Sequence, residues 1–159
     1  MAKPTQPTPS DHRTIAQNRR ARHEYLILEE LECGVSLVGT EVKSLRDGRC
    51  SLTEAYARMH KDELWLIGAH IDEYAMGNIH NHDPRRDRKL LAHRRELHQW
   101  DKRVREKGMT IVPLEIYFKG AQVKVLVGLA RGKKLYDKRQ TAKDRTDKRD
   151  MQRAIMRRR

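Results

Sequence analysis

Thr110 to Gly132, TIVPLEIYFKGAQVKVLVGLARG, reads as two strands around one turn. Ile111, Leu114, Ile116 and Phe118 supply the first strand, and Val123, Val125 and Val127 line one face of the second. Lys119-Gly120-Ala121 joins them, a connection short enough for an antiparallel pair and far too short for a parallel crossover. The rest of the chain must therefore be placed around a hairpin.

Working outward, HEYLILEELECG (His23 to Gly34) alternates like a strand and stops at Gly34. VSLVGTEVKSLRDG (Val35 to Gly48) follows as a second strand, with Gly39 as a bulge or bend and Asp47-Gly48 as its closing turn, so the two runs form a long bent hairpin. CSLTEAYARM (Cys50 to Met59) is a short helix candidate, because Ser51 and Glu54 have capping-box spacing. ELWLIGAHIDEY (Glu63 to Tyr74) returns to strand character after the Asp62-Glu63 turn, and GNIHNHDPRRDR (Gly77 to Arg88) is a loop. A long helix is expected from Arg86 to Lys107: Leu90, Leu97 and Val104 repeat every seven residues, Leu91 and Trp100 widen the stripe, Asp83-Pro84 opens it and Gly108 ends it. About six strands and one long helix, without strand–helix–strand alternation, predict a mainly β, α+β antiparallel barrel.

The chain has 159 residues, enough for one core, with a formal charge of +13. Residues 131–159 hold thirteen Lys or Arg against four Asp, so nine of those charges sit in the last 29 residues. Such an excess points to a polyanionic partner, because phosphate neutralisation releases counterions. A membrane fits poorly, since there is no apolar run of about 18 residues and no signal-like N-terminus. Residues 1–17, with Pro4, Pro7 and Pro9, have the composition of a disordered arm, leaving 18–130 as the folded body and 131–159 as a basic tail. Cys33 and Cys50 form no C-x-x-C and read as reduced thiols in a cytoplasmic protein.

His80-Asn81-His82-Asp83 is spaced to hold a metal, but no second ligand cluster accompanies it, so loop polarity is the preferred reading and no metal or cofactor is expected. Glu29, Glu30 and Glu32 beside His23 read as solvated strand acids rather than a catalytic pair, and the chain is not expected to be an enzyme; the rival readings are a general ribosome-associated or ribosomal RNA-binding protein and a basic nuclease using the histidine loop. Basic residues gather in three zones: Arg19, Arg20 and Arg22; Arg85, Arg86, Arg88, Lys89, Arg94 and Arg95; and the tail. Arginine offers planar bidentate donors to phosphate and stacks on unpaired bases.

Four motifs sharpen this reading. Asn18-Arg-Arg-Ala-Arg-His23, Gly39-Thr-Glu-Val-Lys-Ser-Leu-Arg46, Arg88-Lys-Leu-Leu91 and Gly132-Lys-Lys-Leu-Tyr-Asp-Lys-Arg139 together resemble the SsrA-binding protein family, in order from Asn18 to the C-terminus. The resemblance implies an oligonucleotide-binding-type barrel with one or two short helices beside the long one. It implies a monomer that binds the tRNA-like domain of tmRNA, supports its alanine charging by alanyl-tRNA synthetase, and travels with elongation factor Tu to stalled ribosomes. The body would stand in for an anticodon arm, and the tail would read the small-subunit decoding centre and the empty mRNA channel.

Carried over by position, the tmRNA face would comprise Asn18, Arg19, Arg20, Arg22, Glu32, Lys43, Arg88, Lys89, Leu91 and His93. The ribosome-facing tail would comprise Gly132, Lys133, Lys134, Tyr136, Asp137, Lys138, Arg139, Lys143, Arg145, Lys148, Arg149 and Arg153. Glu32 is no phosphate ligand and would accept from base or ribose groups or orient an arginine. Tyr136 could stack on a ribosomal base, worth about 1–3 kcal/mol. Asp144 and Lys148 lie at helical spacing, and Met151, Ala154 and Ile155 form a thin apolar stripe, so the tail is expected to be disordered alone and helical on the ribosome.

Overall fold

The computed structural model describes residues 12–157, and residues 1–11 of the expected arm lie outside them. The elements are β1 (His12–Gln17), α1 (Arg19–Glu24), β2 (Tyr25–Val35), α2 (Gly39–Arg46), β3 (Cys50–Ser51), β4 (Tyr56–His60), β5 (Glu63–Ile67), β6 (His70–Ile71), β7 (Arg88–Leu91), α3 (Arg94–Lys107), β8 (Thr110–Lys119), β9 (Gln122–Gly132) and α4 (Leu135–Arg157). Among them, β8 and β9 are the expected hairpin, turning at Gly120 with φ 61°.

β8 pairs with β9 along one edge and with both β1 and β4 along the other. That arrangement closes β8-β4-β5-β7-β2-β9 into an antiparallel ring of six strands, with β1 as an extra strand on β8. Closure between β4 and β8 rests on the single pair Ala57↔Ile111. Inside the ring, Leu64, Leu66, Leu90, Ile111, Ile116, Val125, Val127 and Leu129 are at most 2% exposed, and Leu97 and Trp100 of α3 join the same core. A smaller apolar cluster forms where Ala21 of α1 meets Val112, Leu114 and Ala130.

Four expectations about the elements of the body are corrected. Residues 12–17 are not a disordered arm but β1, paired with β8 from His12↔Lys119 to Gln17↔Glu115. The second limb of the bent hairpin is instead α2: Glu41, Ser44 and Leu45 are buried at helical spacing, and the Glu41 carboxylate accepts from the Val38 N–H at 2.9 Å. Cys50 to Met59 holds no helix: it runs from β3 through a turn at residues 52–55 into β4, where Ala57 and its partner Leu66 face the core from a paired register that runs Tyr56↔Ile67 to His60↔Glu63. The long helix starts at Arg94, not Arg86; Arg88–Leu91 is a strand bridging β5 and β2, and the Leu90–Leu97 spacing spans a strand and a helix. Gly108 does end that helix, at φ 60°.

The tail, expected to lack structure by itself, is the helix α4. Its Lys, Arg, Gln, Ala and Met content favours helix intrinsically. Asp144 accepts from Gln140 at 3.3 Å, one turn away, rather than pairing with Lys148.

Candidate nucleic-acid interface

The first basic cluster is built on α1. The Asn18 N–H donates to the Leu114 carbonyl at 2.8 Å, at the point where a register shift after Pro113 interrupts the β8–β9 ladder. The Asn18 side chain then accepts from the Ala21 N–H at 3.1 Å and caps the helix, while Ala21 anchors it at 3% exposure. Asn18 is itself nearly enclosed, so it sets the helix in place. The same capping leaves Arg19, Arg20 and Arg22 exposed. Arg20 donates to Glu24 at 2.8 Å and Arg22 to Glu30 at 2.9 Å, so two of the three guanidinium groups are held by acids on or beside β2.

At the other end of β2 the pairs Gly34↔Leu91 and Val35↔Leu90 bring β7 alongside. Leu91 points outward at 51% exposure, and Lys89, also outward, is ion-paired with Glu63. A cleft of about 450 Å³ opens here, lined by Lys61, Glu63, Lys89, Leu91, Arg94 and Leu97. His93 stands exposed at the start of α3, its N–H donating to Glu96 at 3.3 Å. Glu32 lies on the outer face near this end and accepts from the Tyr117 hydroxyl and, at 3.0 Å, from Lys119. Burial alone would raise the Glu32 pKa, but the Tyr117 and Lys119 donors outweigh it and hold the carboxyl below its usual range.

Arg88 is a correction. It is 0% exposed; its guanidinium donates to Glu41 at 2.8 Å, to the Ala69 carbonyl at 2.9 Å and to those of Arg86 and Pro84 at 3.0 and 3.1 Å. A charge with every donor so occupied is not available to phosphate. Glu41, also 0% exposed, takes two further bonds from Arg86 at 3.0 and 2.8 Å, and the three charges lock α2 against the loop before β7. Lys43 lies on α2, its Nζ 5.3 Å from the centroid of the Tyr74 ring. The predicted tmRNA face thus divides between α1, the β2–β7 edge and α2, with Arg88 inside.

The histidine loop is similarly committed to structure. His82 is 7% exposed and bonds Thr40 at 2.9 Å and the Ile71 carbonyl at 3.0 Å, while Asn81 bonds both backbone groups of Tyr74. Among the described residues no group of three or more His, Cys, Asp or Glu could hold a metal, and no helix is long and apolar enough to cross a membrane.

Sequence reasoning missed Tyr117, Lys119 and Arg103. The first two were legible as the outward alternates of Ile116 and Phe118. Arg103 is one turn after Trp100 on α3, and both donate to Glu29.

Gly132 ends β9 opposite Tyr25. The next residue ties the tail to α1: the Lys133 N–H donates to the Glu24 carbonyl at 2.9 Å and its Nζ to the Arg22 carbonyl at 3.2 Å. Beyond it, Lys134, Arg139, Lys143, Arg145, Lys148, Arg149 and Arg153 are exposed and Lys138 partly so; the side chains of Tyr136 and Asp137 lie outside the described residues.

Comparison with known proteins identifies this arrangement. The family model described as SmpB protein matches residues 15–157. The SsrA-binding protein of Kineococcus radiotolerans is 53% identical over 94% of this chain and 96% of its own length, and that of Gloeothece citriformis is 56% identical over 90% and 93%. A chain of the solved structure described as "tmRNA-SmpB: a journey to the center of the bacterial ribosome" aligns with TM-score 0.63 and 52% identity, covering 76% of this chain and 85% of that one. With a match that runs from β1 to the end of α4, the chain belongs to the SmpB family of SsrA-binding proteins.

Proposed function

We propose that this protein binds tmRNA and brings it to stalled ribosomes for trans-translation. The observation that carries the reading is its 52% identity to the protein of the tmRNA-SmpB ribosome structure. The α1 arginines and the β2–β7 edge, with Glu32, Lys89, Leu91 and His93, engage the tRNA-like domain of tmRNA, mainly through phosphate and shape. Asn18 and Arg88 act from beneath, by fixing α1 and the α2–β7 junction. The body takes the place of an anticodon arm, and α4 enters the decoding centre and the vacant mRNA channel, where rRNA phosphates neutralise its charge.

The protein works by binding, without covalent chemistry, as a cytoplasmic monomer. Elongation factor Tu and alanyl-tRNA synthetase act on the same tmRNA. Support for dividing the work between body and tail comes from charge: most of the net positive charge lies after Arg131, and α4 meets the body chiefly at α1.

Truncation after Gly132 tests this division. The shortened chain is expected to bind tmRNA nearly as tightly as the full chain and to support no tagging on stalled ribosomes. Collapse of tmRNA binding would make the tail a general RNA anchor. A pull-down from bacterial lysate that enriches bulk rRNA without tmRNA would refute the functional reading as a whole.

A further inference from the structure

The outer face of β4, β5 and β7 carries an aromatic and basic row that the interface above leaves largely unused. The registers Arg58↔Trp65 and Trp65↔Lys89 set one indole between two cations. Tyr56 shares the face at 46% exposure and pairs with Ile67, which makes it the diagonal neighbour of Trp65, about 7–8 Å away in such a sheet. Arg58 and His60 are exposed and Trp65 is half-buried, so the row is open to solvent.

A second observation concerns the indole nitrogen. Trp65 Nε1 is buried and finds no acceptor among the described residues, a condition it shares only with Ser44 Oγ. An unmade bond at a shielded donor is costly. It is tolerated here at an outward-facing ring rather than in the barrel core. Stacking rings flanked by cations are what single-stranded nucleic acid requires: every base has a face to stack, its edge carries acceptors, and its phosphates need counter-charges at the spacing of the strand. Lys61 and Arg94 add positive charge beside the adjoining cleft, against Asp62 and Glu63.

We propose that this face binds unpaired bases of single-stranded RNA, one on Trp65 and a neighbour on Tyr56, with Arg58 and Lys89 flanking the phosphates. Lys89 exchanges Glu63 for phosphate on binding. The inference rests on the RNA-binding reading and adds to it a contact that tolerates any sequence, distinct from the α1 arginines.

The test uses full-length protein, titrated with an oligoadenylate hexamer and separately with a blunt RNA duplex. Trp65 and Trp100 are the only tryptophans, and Trp100 is 4% exposed, so fluorescence reports chiefly on Trp65 when ligand reaches the surface. The hexamer is expected to quench emission saturably in the wild type, and anisotropy of an end-labelled hexamer, which needs no tryptophan, is expected to show at least about fivefold weaker binding in Trp65→Leu, whose tmRNA affinity and melting temperature confirm an intact fold. Arg58→Ala is expected to weaken hexamer binding at least about fivefold. Equal hexamer affinity in Trp65→Leu, equal quenching by the duplex, or no saturable quenching in a wild type that still binds tmRNA overturns the proposal. Hexamer quenching in a protein that fails to bind tmRNA would instead refute the functional reading and leave this face standing.

Discussion

Replacing Glu41 by Gln keeps the side chain's shape and removes its charge from the most enclosed ionic cluster of the described residues. The wild-type carboxylate accepts from Arg88 Nε at 2.8 Å, Arg86 Nε at 3.0 Å, Arg86 Nη2 at 2.8 Å and the Val38 N–H at 2.9 Å. Arg88 is as buried as Glu41, so Glu41→Gln strands a guanidinium charge with only carbonyls around it. Breaking one side of a buried pair costs about 3–5 kcal/mol. At about 2–4 °C per kcal/mol for a chain of this size, the melting temperature should fall by about 10 °C. The pH dependence gives a second readout. Burial raises the Glu41 pKa, but the donors from Arg86 and Val38 and the nearby Arg88 charge prevail and hold it below the usual range. A depressed carboxyl contributes stability that is fully present above its unfolded pKa, about 4.3, and is lost as pH falls through the folded value. Urea melts followed by circular dichroism should therefore show a wide gap between wild type and variant at pH 7 that narrows below about pH 4. A gap under about 1 kcal/mol at pH 7, or one that persists unchanged at pH 3, would refute the reasoning.

Two glycines separate backbone conformation from crowding. Gly108 has φ 60°, and a Cβ added there would meet nothing within 4 Å, so Gly108→Ala should cost about 1 kcal/mol. Gly68 has φ 74° and a Cβ there would lie 2.9 Å from the Glu54 carbonyl oxygen, so Gly68→Ala should cost about 2–4 kcal/mol; equal losses in thermal melts would show that the contact relaxes freely. Tyr117 is 4% exposed and its phenol pKa is raised, first by burial and then by the Glu32 carboxylate that accepts its proton. Ultraviolet titration of Glu32→Gln should bring one tyrosine down toward its ordinary value near 10, and an unchanged titration would show that burial alone sets it.

Elements whose pattern is local were legible. β8 and β9 show alternation and a glycine turn within 23 residues, and Gly108 stops α3 where a left-handed residue is needed. Elements defined by distant partners were not. Nothing near Gly39–Arg46 says that Glu41 is buried, because its partners Arg86 and Arg88 lie 45 and 47 residues away; without them the run looks like a β-branched strand. β1 has only Ile15 and Ala16 as apolar residues against the core and owes its strand to β8, about a hundred residues downstream. Arg88 shows the same limit at the site: its motif neighbours Lys89 and Leu91 face outward, and the strand's alternation turns Arg88 in. Motif membership identified the family; which members of the motif touch solvent needed the register.

The acids of β2 and its approach explain why a binding protein for a polyanion carries so many carboxylates. Glu24, Glu29, Glu30 and Glu32 each meet a base: Arg20, Arg103, Arg22 and Lys119. Exposed pairs of this kind contribute little to stability. Their consequence is geometric. A free arginine loses rotamer freedom when it binds phosphate, whereas one already held by a carboxylate has lost much of it in the unbound protein. The body thus presents a small number of oriented donors at low net charge, while α4 carries its charge with few acids to orient it. The first arrangement suits one RNA of fixed shape, and the second suits a channel walled by phosphate on all sides. Lys133, bonded to the end of α1, is where the two meet.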